Sequence, residues 1–306
     1  MQKEYHYSEI FYSIQGEGHY TGVPTVWLRY YSCNLQCDGF GQKDPTDMST
    51  YILPYKNVDA KAYKVMEDLP VWKYGCDSSY SWAKKFKHLQ RKGTPELIAN
   101  KLLGSIMTTY NPESLFDHPS GQPVHMCFTG GEPLMRHAQD CTIGVLEYFN
   151  SINNSPRFVT FETNATQQLT PSFSNFMTNW REQGREIFIS SSPKLFNTSG
   201  ETNKDAINPE ILDSYCRLSK GHGQMKFVVN GKKDTWDELE HVVNEYRKAG
   251  VTFPIWIMPV SATLEGQTGE LENYISAGKI AEETYQRGYN VSARVHVYLF
   301  GNVIGT

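Results

Sequence analysis

The sequence has no hydrophobic stretch long enough to cross a membrane and no large excess of charge of either sign. A transmembrane helix needs about 20 consecutive apolar residues, and no run in these 306 residues approaches that length. The polar start, Met1-Gln2-Lys3-Glu4, is unlike a signal peptide. The formal net charge of -4 argues against a broad nucleic-acid-binding surface and favours a small-molecule substrate. We therefore expect a cytoplasmic protein.

Cysteine is also scarce, and its spacing does not match the commonest metal motifs. The chain has 6 cysteines, which in a reducing compartment are more often metal ligands or buried thiols than disulfides. Three residues separate Cys33 from Cys37, whereas zinc ribbons and redox pairs usually separate their cysteines by two. Cys127, Cys141 and Cys216 lie in apolar surroundings and are expected only to pack in the core.

Cys76 is the expected third ligand for this pair, although it lies far beyond Cys37 in the sequence. Three thiolates on a 4Fe-4S cluster leave one iron open to chelate the amino and carboxylate groups of S-adenosylmethionine. The motif resembles that of the radical S-adenosylmethionine superfamily, which normally has its third cysteine where this chain has Phe40. We interpret residues 38–75 as an ordered insertion in the motif, either a flap over the cluster or an interface element.

Strand-like and helical patterns alternate along the chain, as in α/β proteins. Six mainly parallel strands are predicted at residues 24–29, 124–128, 158–161, 187–190, 225–229 and 255–258, with a further terminal strand at 291–300. Helices are predicted at 94–106, 236–247 and 271–287. The glycine-rich segment 10–22, before the first strand, is predicted to be a tight loop.

The loops that follow the predicted strands carry most of the candidate site residues. In parallel α/β folds these loops meet at one rim and build the active site. Here they contain Thr129-Gly130-Gly131-Glu132-Pro133, Glu162-Thr163-Asn164, Ser192-Pro193-Lys194 and Met258. Paired glycines let the backbone approach the methionine end of the cofactor, while Glu132 and Asn164 supply oxygens for its ammonium group or ribose.

Gln15 and Glu17 are candidates for recognising a heterocycle, because an amide and a carboxylate on a tight loop can pair with its donor and acceptor edge. The alternative is that they are ordinary polar residues of a turn. Arg29 has a planar guanidinium that can bind a carboxylate through two hydrogen bonds. Its alternative is a salt bridge at the end of a strand.

Together these motifs resemble the 7-carboxy-7-deazaguanine synthase family over nearly the whole chain. The resemblance rests also on Thr21-Gly22-Val23-Pro24, on Asp77 after the third cysteine, and on Arg294 with His296. It implies a partial, modified (β/α) barrel, with residues 1–306 as a single radical S-adenosylmethionine domain. It further implies a homodimer that converts 6-carboxy-5,6,7,8-tetrahydropterin to 7-carboxy-7-deazaguanine by ring contraction with loss of ammonia. The implied cofactors are a 4Fe-4S cluster, S-adenosylmethionine and Mg²⁺, with an external electron donor such as flavodoxin.

The resemblance also implies a role for each matching residue. The cluster ligands are Cys33, Cys37 and Cys76, and the Mg²⁺ ligand is Ser78, where the family has threonine. The cofactor-binding residues are Gly130, Gly131, Glu132, Asn164, Ser192, Pro193, Lys194 and Met258. The substrate-binding residues are Ile14, Gln15, Gly16, Glu17, Arg29, Thr129 and His296. Ser78 could instead only cap a turn, and His296 could be a core histidine.

The implied mechanism begins when the reduced cluster cleaves the cofactor to a 5′-deoxyadenosyl radical, which takes hydrogen from the pterin carbon that bears the carboxylate. Two other functions stay open. One is an activase that places a glycyl radical on a partner protein, and the other is a non-enzymatic iron-sulfur or zinc protein. The resemblance also implies that the family can use its terminal carboxylate on the substrate, but the tail here, residues 297–306, is longer than the family's, so this contact stays open.

Overall fold

The computed structural model describes residues 3–271 and 275–306. Within them, one open 9-stranded sheet has the order β3-β1-β2-β4-β5-β6-β7-β8-β9. Pairing is parallel from β2 through β9, whereas β1 is antiparallel to β2 and β3. The strands are β1 Tyr5–Ile14, β2 Pro24–Tyr30, β3 Arg91–Gly93, β4 His125–Gly130, β5 Phe158–Thr163, β6 Glu186–Ser191, β7 Gly223–Val229, β8 Ile255–Pro259 and β9 Asn290–Val291.

Helices connect the parallel strands. They are α1 Pro54–Asn57, α2 Pro95–Ile106, α3 Arg136–Ser151, α4 Pro171–Glu182, α5 Phe196–Ser199, α6 Asn203–Ala206, α7 Pro209–Leu218, α8 Lys233–Lys248, α9 Leu264–Thr268, α10 Ala277–Gln286 and α11 Val295–Phe300. Thr94 and Thr170 cap α2 and α4 by accepting a hydrogen bond from a first-turn N–H, and a proline follows each cap. Side chains of α2, α3, α4, α7 and α8 form one large core with the sheet.

The predicted fold class is confirmed: the sheet is mainly parallel, connected by helices and not closed, as in a partial barrel. The predicted strand count was too low, because β1 and β3 were missed. β1 includes Ile10 to Ile14, which we had predicted as part of a loop. Its burial does not alternate cleanly, since it is covered on both sides, and this removed the period-two signal.

The terminal strand predicted at 291–300 is wrong. Only Asn290 and Val291 pair with the sheet, and Val295–Phe300 forms α11 instead. The alternating Val291, Val295 and Val297 suggested a strand, but of the six helix residues only Val297 is buried. The helix predicted at 271–287 is observed as Ala277–Gln286, and residues 272–274 lie outside the described part of the chain.

Residues 38–75 are ordered. The two ends of this insertion lie side by side within the cysteine motif. The N–H of Gly75 donates to the carbonyl of Phe40 at 2.8 Å, which closes the neck of the insertion. The Asp38 carboxylate accepts a hydrogen bond from the Tyr55 hydroxyl at 3.0 Å. A second apolar core joins this segment to the residues after it, namely Tyr55, Ala60, Met66, Leu69, Trp72, Tyr80, Ala83, Phe86 and Leu89. The aromatic residues of the insertion therefore build a small core of their own.

None of the helices in the described residues combines the length and the apolar character that a membrane span requires.

Candidate active site

One large cavity lies on the side of the sheet opposite the core helices α2, α3, α4, α7 and α8, and most of the predicted site residues line it. Alternate residues of β2 show why: Val26, Leu28 and Tyr30 join the core, whereas Trp27 and Arg29 face the cavity. The predicted residues that line it are Ile14, Gln15, Gly16, Glu17, Arg29, Cys33, Cys37, Cys76, Ser78, Thr129, Gly130, Gly131, Asn164, Ser192, Lys194, Met258 and His296. Glu132 and Pro193 are not among the lining residues.

The three cysteines of the interrupted motif meet at this cavity. Cys33, Cys37 and Cys76 pack in one small cluster with Leu35 and Phe40 and with Ala206, although the insertion separates them in sequence. Burial raises the pKa of all three thiols, to about 12 for Cys33. A positive metal centre is what would offset that cost and hold the sulfurs as thiolates.

Hydrogen-bond donors point at the cysteine sulfurs. The indole N–H of Trp82 donates to Cys76 Sγ at 3.4 Å, and the backbone N–H of Leu35 donates to Cys33 Sγ at 3.5 Å. The Asn164 amide lies 3.8 Å from Cys33 Sγ. Such donors tune the sulfur ligands of iron-sulfur clusters, so this donor set fits a cluster better than it fits three unligated thiols.

Residues 3–271 and 275–306 contain no group of three His, Cys, Asp or Glu side chains arranged to hold a single metal ion. The fit to a multi-iron cluster thus rests on the shared cavity and on the N–H donors at sulfur.

The paired glycines let the loop after β4 pack against the cysteine loop. A side-chain Cβ at Gly131 would lie 2.2 Å from the carbonyl oxygen of Ser32, which no larger residue could accept. The Glu132 N–H donates to the same carbonyl at 2.9 Å. We had expected the glycines to make room for the cofactor, and both do line the cavity. Their closest neighbours, however, are Tyr30, Ser32 and Cys33.

Glu132, which we expect to bind the cofactor, is buried and is not among the residues that line the cavity. Its fully buried carboxylate accepts hydrogen bonds from the Leu134 N–H at 2.9 Å, the Thr163 hydroxyl at 2.7 Å and the Asn164 N–H at 2.7 Å. Burial nevertheless raises the pKa of Glu132 to about 7. The residue joins the loops after β4 and β5 and so orients Asn164.

Lys194 connects the loop after β6 with the cysteine motif. Its ammonium donates to the Ser192 hydroxyl at 3.0 Å and lies 5.7 Å from the centre of the Phe40 ring. Phe40, which stands where the superfamily has its third cysteine, thus contributes a cation–π contact to the wall instead of a ligand.

Arg29 makes the salt bridge that we had considered as its alternative role, but only through one nitrogen. Its Nε donates to Glu9 at 2.5 Å, and its guanidinium carbon lies 5.8 Å from the centre of the Tyr80 ring. Among the described residues, neither terminal nitrogen has a hydrogen-bond partner. Because Arg29 lines the cavity, the salt bridge is compatible with binding a carboxylate.

The loop after β1 lines the cavity and is held by hydrogen bonds within the protein. The Gln15 amide donates to Glu162 at 3.2 Å and accepts from the Glu17 N–H at 3.0 Å. Thr129 donates to the other oxygen of Glu162 at 3.2 Å. A Cβ at Gly16 would lie 2.0 Å from His296 Nδ1, so glycine there lets the loop and the histidine approach closely.

Glu17 is the centre of a buried ion-pair network. It accepts hydrogen bonds from Lys226 and, at 3.0 Å, from Arg294. Arg294 also donates to Asp77, beside Cys76, at 2.7 Å. Although burial opposes it, the charges of Lys226 and Arg294 hold the pKa of Glu17 well below its ordinary value. The network keeps Glu17 ionised and connects the loop after β1 to the loop of the third cysteine.

The two remaining candidates, His296 and Ser78, lie beside this network. His296 Nε2 is 3.8 Å from Glu17, and burial lowers the pKa of His296, which favours a neutral imidazole. His296 lies in α11 at the cavity, which argues against its alternative as a core histidine. Ser78 Oγ is 3.5 Å from Cys76 Sγ. Ser78 precedes a short 3₁₀ helix, but its side chain caps no N–H there, so the turn-cap alternative is not observed.

Sequence reasoning missed several residues that line the cavity. Glu9 and Lys226 lie within strands, at positions where an isolated charge in an apolar run could have signalled an inward-facing group. Tyr80 and Trp82 follow Cys76 but were not singled out. Residues 302–306 also line the cavity, because α11 ends at Gly301 in the left-handed conformation and the chain turns back. The family resemblance implies that the tail can reach the substrate, but no local pattern in residues 297–306 predicts this return.

The sequence is similar over nearly its whole length to known proteins. It is 23% identical over 301 residues to the 7-carboxy-7-deazaguanine synthase of Leptospira interrogans, covering 97% of this chain and 96% of the relative. It is 24% identical over 303 residues to that of Thermoplasma acidophilum, covering 97% and 98%. Against the Bacteroides thetaiotaomicron synthase, a 30-residue stretch is 60% identical, which is 10% of this chain and 16% of the relative. The chain is similar to 7-carboxy-7-deazaguanine synthases. The resemblance inferred from the motifs is thereby confirmed.

Among solved structures, the chain matches QueE from Escherichia coli with a TM-score of 0.49 and 17% sequence identity, covering 96% of this chain and 95% of that one. No protein-family model matches the sequence.

Proposed function

We propose that this protein is a radical S-adenosylmethionine enzyme, a 7-carboxy-7-deazaguanine synthase acting on 6-carboxy-5,6,7,8-tetrahydropterin. The observation that carries the proposal is the convergence of Cys33, Cys37 and Cys76 with Glu17 and Arg29 in one cavity. Similarity over 97% of the chain to two synthases supports the same activity. A fixed pterin site speaks against an activase, which needs an open face for a protein partner.

Cys33, Cys37 and Cys76 hold the 4Fe-4S cluster in this proposal, and its open iron binds S-adenosylmethionine. When bound and reduced, this pair of cofactors supplies a 5′-deoxyadenosyl radical. The lining residues that we assign to the cofactor are Gly130, Gly131, Asn164, Ser192, Lys194 and Met258. Pro193 and Glu132 support them from outside the cavity.

The substrate is held by the loop after β1 and by Arg29. Glu17 keeps free lone pairs beside its two cationic partners, and a carboxylate can accept additional hydrogen bonds from pterin N–H groups. Arg29 offers its two terminal nitrogens to the substrate carboxylate. Ile14, Gln15, Gly16, Thr129 and His296 complete the site. Because a carbon radical attacks almost any C–H bond, the chief task of these residues is to fix the substrate and exclude water.

Several finer features belong to the same proposal. Ser78 supplies an oxygen to Mg²⁺, a hard cation that often uses one or two protein oxygens together with water and substrate. Residues 38–75 act as a flap on a single domain, and Pro70, Val71 and Lys73 line the cavity. A homodimer, an external electron donor such as flavodoxin and a cytoplasmic location also stay predictions.

The direct test is an anaerobic assay with reconstituted protein, S-adenosylmethionine, a reductant and 6-carboxy-5,6,7,8-tetrahydropterin. The proposal expects 7-carboxy-7-deazaguanine and ammonia by mass spectrometry and enzymatic assay, with 5′-deoxyadenosine formation stimulated by the substrate. Cys76→Ala should abolish all products, whereas the matched variant Cys216→Ala, of a buried cysteine outside the cavity, should retain them. Cleavage of S-adenosylmethionine without any pterin product would refute the synthase. A colourless zinc protein would refute radical chemistry altogether.

A further inference from the structure

Glu9 and Arg29 form a buried pair across two strands at the edge of the cavity. They are direct neighbours in the antiparallel pairing of β1 with β2. Arg29 Nε donates to Glu9 Oε1 at 2.5 Å, and the Tyr80 hydroxyl donates to the same oxygen at 2.9 Å. Glu9 is only 1% exposed. One carboxylate oxygen of Glu9 therefore accepts hydrogen bonds from both Arg29 and Tyr80.

A β-bulge brings Glu9 to the cavity. The register of β1 against β2 shifts between Tyr7 and Glu9, so Ser8 is an extra residue. Before the bulge, Tyr5 and Tyr7 face the main core, and after it Ile10 and Tyr12 do so. Without the extra residue, Glu9 would share the core-facing side of Tyr7, because side chains alternate along a strand. Bulges next to active sites commonly re-aim a side chain in this way.

The contact with Glu9 uses the inner nitrogen of Arg29 and leaves the outer two for a ligand. Neither terminal nitrogen of Arg29 has a hydrogen-bond partner within the described residues. Glu9 Oε2 is likewise buried with no partner there. A guanidinium gripped at Nε presents its two terminal N–H groups outward, in the arrangement that a carboxylate accepts.

Tyr80 connects this pair to the loop of the third cysteine. It stands four residues after Cys76, and its carbonyl accepts a hydrogen bond from the Gln90 amide at 3.0 Å. Gln90 accepts in turn from the hydroxyl of Ser8, the bulge residue, at 2.7 Å. The bulge thus helps to hold the segment after the insertion while it aims Glu9 at Arg29.

We propose that Glu9 and Tyr80 are positioning residues that lock the Arg29 guanidinium toward the substrate carboxylate and in register with the loop of Cys76. The proposal rests on the proposed function for the identity of the carboxylate. A long arginine side chain loses much rotational freedom when it binds a ligand. Holding it in place before the substrate arrives removes that cost from binding and fixes the distance between substrate and cofactor.

The chain contains a matched control in a second triad of the same residue types. Glu240 accepts hydrogen bonds from Arg287 at 3.3 Å and from the Tyr289 hydroxyl at 2.8 Å. This triad is away from the cavity, since none of its members lines it, and the Glu240 side chain is 43% exposed. Glu240→Gln and Tyr289→Phe therefore remove the same contacts without affecting the site.

The experiment measures binding of two air-stable ligands, 6-carboxypterin and unsubstituted pterin, to reconstituted protein with S-adenosylmethionine. Glu9→Gln should weaken 6-carboxypterin binding about tenfold and Tyr80→Phe roughly threefold, as expected for hydrogen bonds to charged groups. Binding of unsubstituted pterin should stay within about twofold of wild type for both variants. In an Arg29→Ala background, Glu9→Gln should have no additional effect. The two control variants should match wild type.

Equal weakening of both ligands, or an undiminished effect of Glu9→Gln without Arg29, would overturn the proposal. A substrate-independent readout is the Nε–H signal of Arg29 in protein labelled with ¹⁵N-arginine. Its hydrogen exchange should be slow in wild type and at least about tenfold faster in Glu9→Gln, because a buried charged partner protects it. Equal exchange rates would overturn the positioning role. If wild type binds neither pterin, the proposed function fails, and the exchange rates still decide whether Glu9 positions Arg29.

Discussion

The loop after β1 is polar and charged on one side and aromatic on the other. Gln15 and Glu17 face the cavity and join a network of hydrogen bonds and ion pairs. A few residues later, His19 and Tyr20 lie at the amino ends of the parallel strands, among aromatic rings. The ring centroids of Tyr20 and His125 are 4.8 Å apart, and those of the stacked rings of His125 and Phe158 are 4.4 Å apart.

This difference separates groups that serve chemistry from groups that serve stability. On the cavity side, Glu17 is held ionised by two cations, and glycines bring loops together at the cost of backbone freedom. On the opposite side, burial lowers the pKa of His125 to about 4 and keeps its ring neutral. In barrel-like α/β folds, the carboxyl ends of the strands carry the active site and the amino ends carry stability. Variants on the cavity side should therefore change activity, and variants on the opposite side should change stability.

The largest expected effect on the cavity side is that of Cys76→Ala. Because Cys76 is the third thiolate of the proposed cluster, its loss should remove the site-differentiated cluster and all cleavage of S-adenosylmethionine. Iron and sulfide analysis with EPR spectroscopy of the reduced protein measures this. Cys127→Ala and Cys141→Ala, whose side chains are buried and do not line the cavity, should keep the cluster. An intact cluster in the Cys76 variant would contradict the assignment.

Arg29→Ala should have the next largest effect, and this variant should weaken substrate binding alone. Removing one partner of a buried charge pair costs on the order of 2–5 kcal/mol of binding, so the apparent substrate constant should rise at least about 30-fold. Cleavage of S-adenosylmethionine without substrate should stay near the wild-type rate. Arg29→Lys should recover only part of the loss, since an ammonium cannot bind both carboxylate oxygens in parallel. Equal loss of both activities would place Arg29 at the cofactor instead.

On the opposite side, His125→Phe should change the pH dependence of stability and leave activity at pH 7 unchanged. The folded-state pKa of His125, about 4, lies below its ordinary value of 6.5. Below that ordinary value the unfolded chain takes up a proton that the folded protein excludes, so wild type loses stability as the pH falls. The thermal midpoint of the variant should therefore rise relative to wild type between about pH 7 and pH 5.

The control for this prediction is His241→Phe, because the imidazole of His241 is exposed. It should give no comparable dependence on pH. A His125 variant whose midpoint stayed parallel to that of wild type would show that the ring is not held neutral. If the His125 variant lost activity per folded molecule, activity and stability would not be separated between the two sides of the loop.

The smallest effect is expected at Ser78. If its hydroxyl contacts Mg²⁺, wild-type turnover should be stimulated by the metal, and Ser78→Ala should lose that stimulation while keeping its cluster. Ser78→Thr should be stimulated at a lower Mg²⁺ concentration, since the added methyl group restricts the rotamer. The measurement is turnover against Mg²⁺ concentration after chelation. Wild-type turnover indifferent to Mg²⁺ would refute the role.

The sequence was most informative where chemistry demands a short, fixed pattern. The loops after β4, β5 and β6 were predictable because a parallel sheet brings them to one rim, and Gly131, Asn164 and Ser192 do line the same cavity. Cys76 was singled out because three thiolates leave one iron open, and it lies with Cys33 and Cys37 at the cavity. These inferences used residue type, residue order and the family resemblance.

Features that depend on pairing across the fold could not be predicted. The bulge at Ser8 is visible only in the register of β1 against β2, and so the role of Glu9 was missed. The isolated charge of Lys226 could have indicated an inward-facing group, but only the fold shows that its partner is Glu17. The segment 291–300 has a local pattern that fits a strand, but tertiary contacts decide otherwise: Val295 N–H bonds to the Gly16 carbonyl at 2.9 Å, and a helix follows.

The most direct test of the account is a labelling experiment with substrate that carries deuterium on the carbon bearing the carboxylate. If the cavity holds the pterin by Arg29 and Glu17 beside the proposed cluster, that carbon is the one presented to the radical. Mass spectrometry should find deuterium in the 5′-deoxyadenosine that is released. Unlabelled 5′-deoxyadenosine formed together with 7-carboxy-7-deazaguanine would contradict this placement of the substrate.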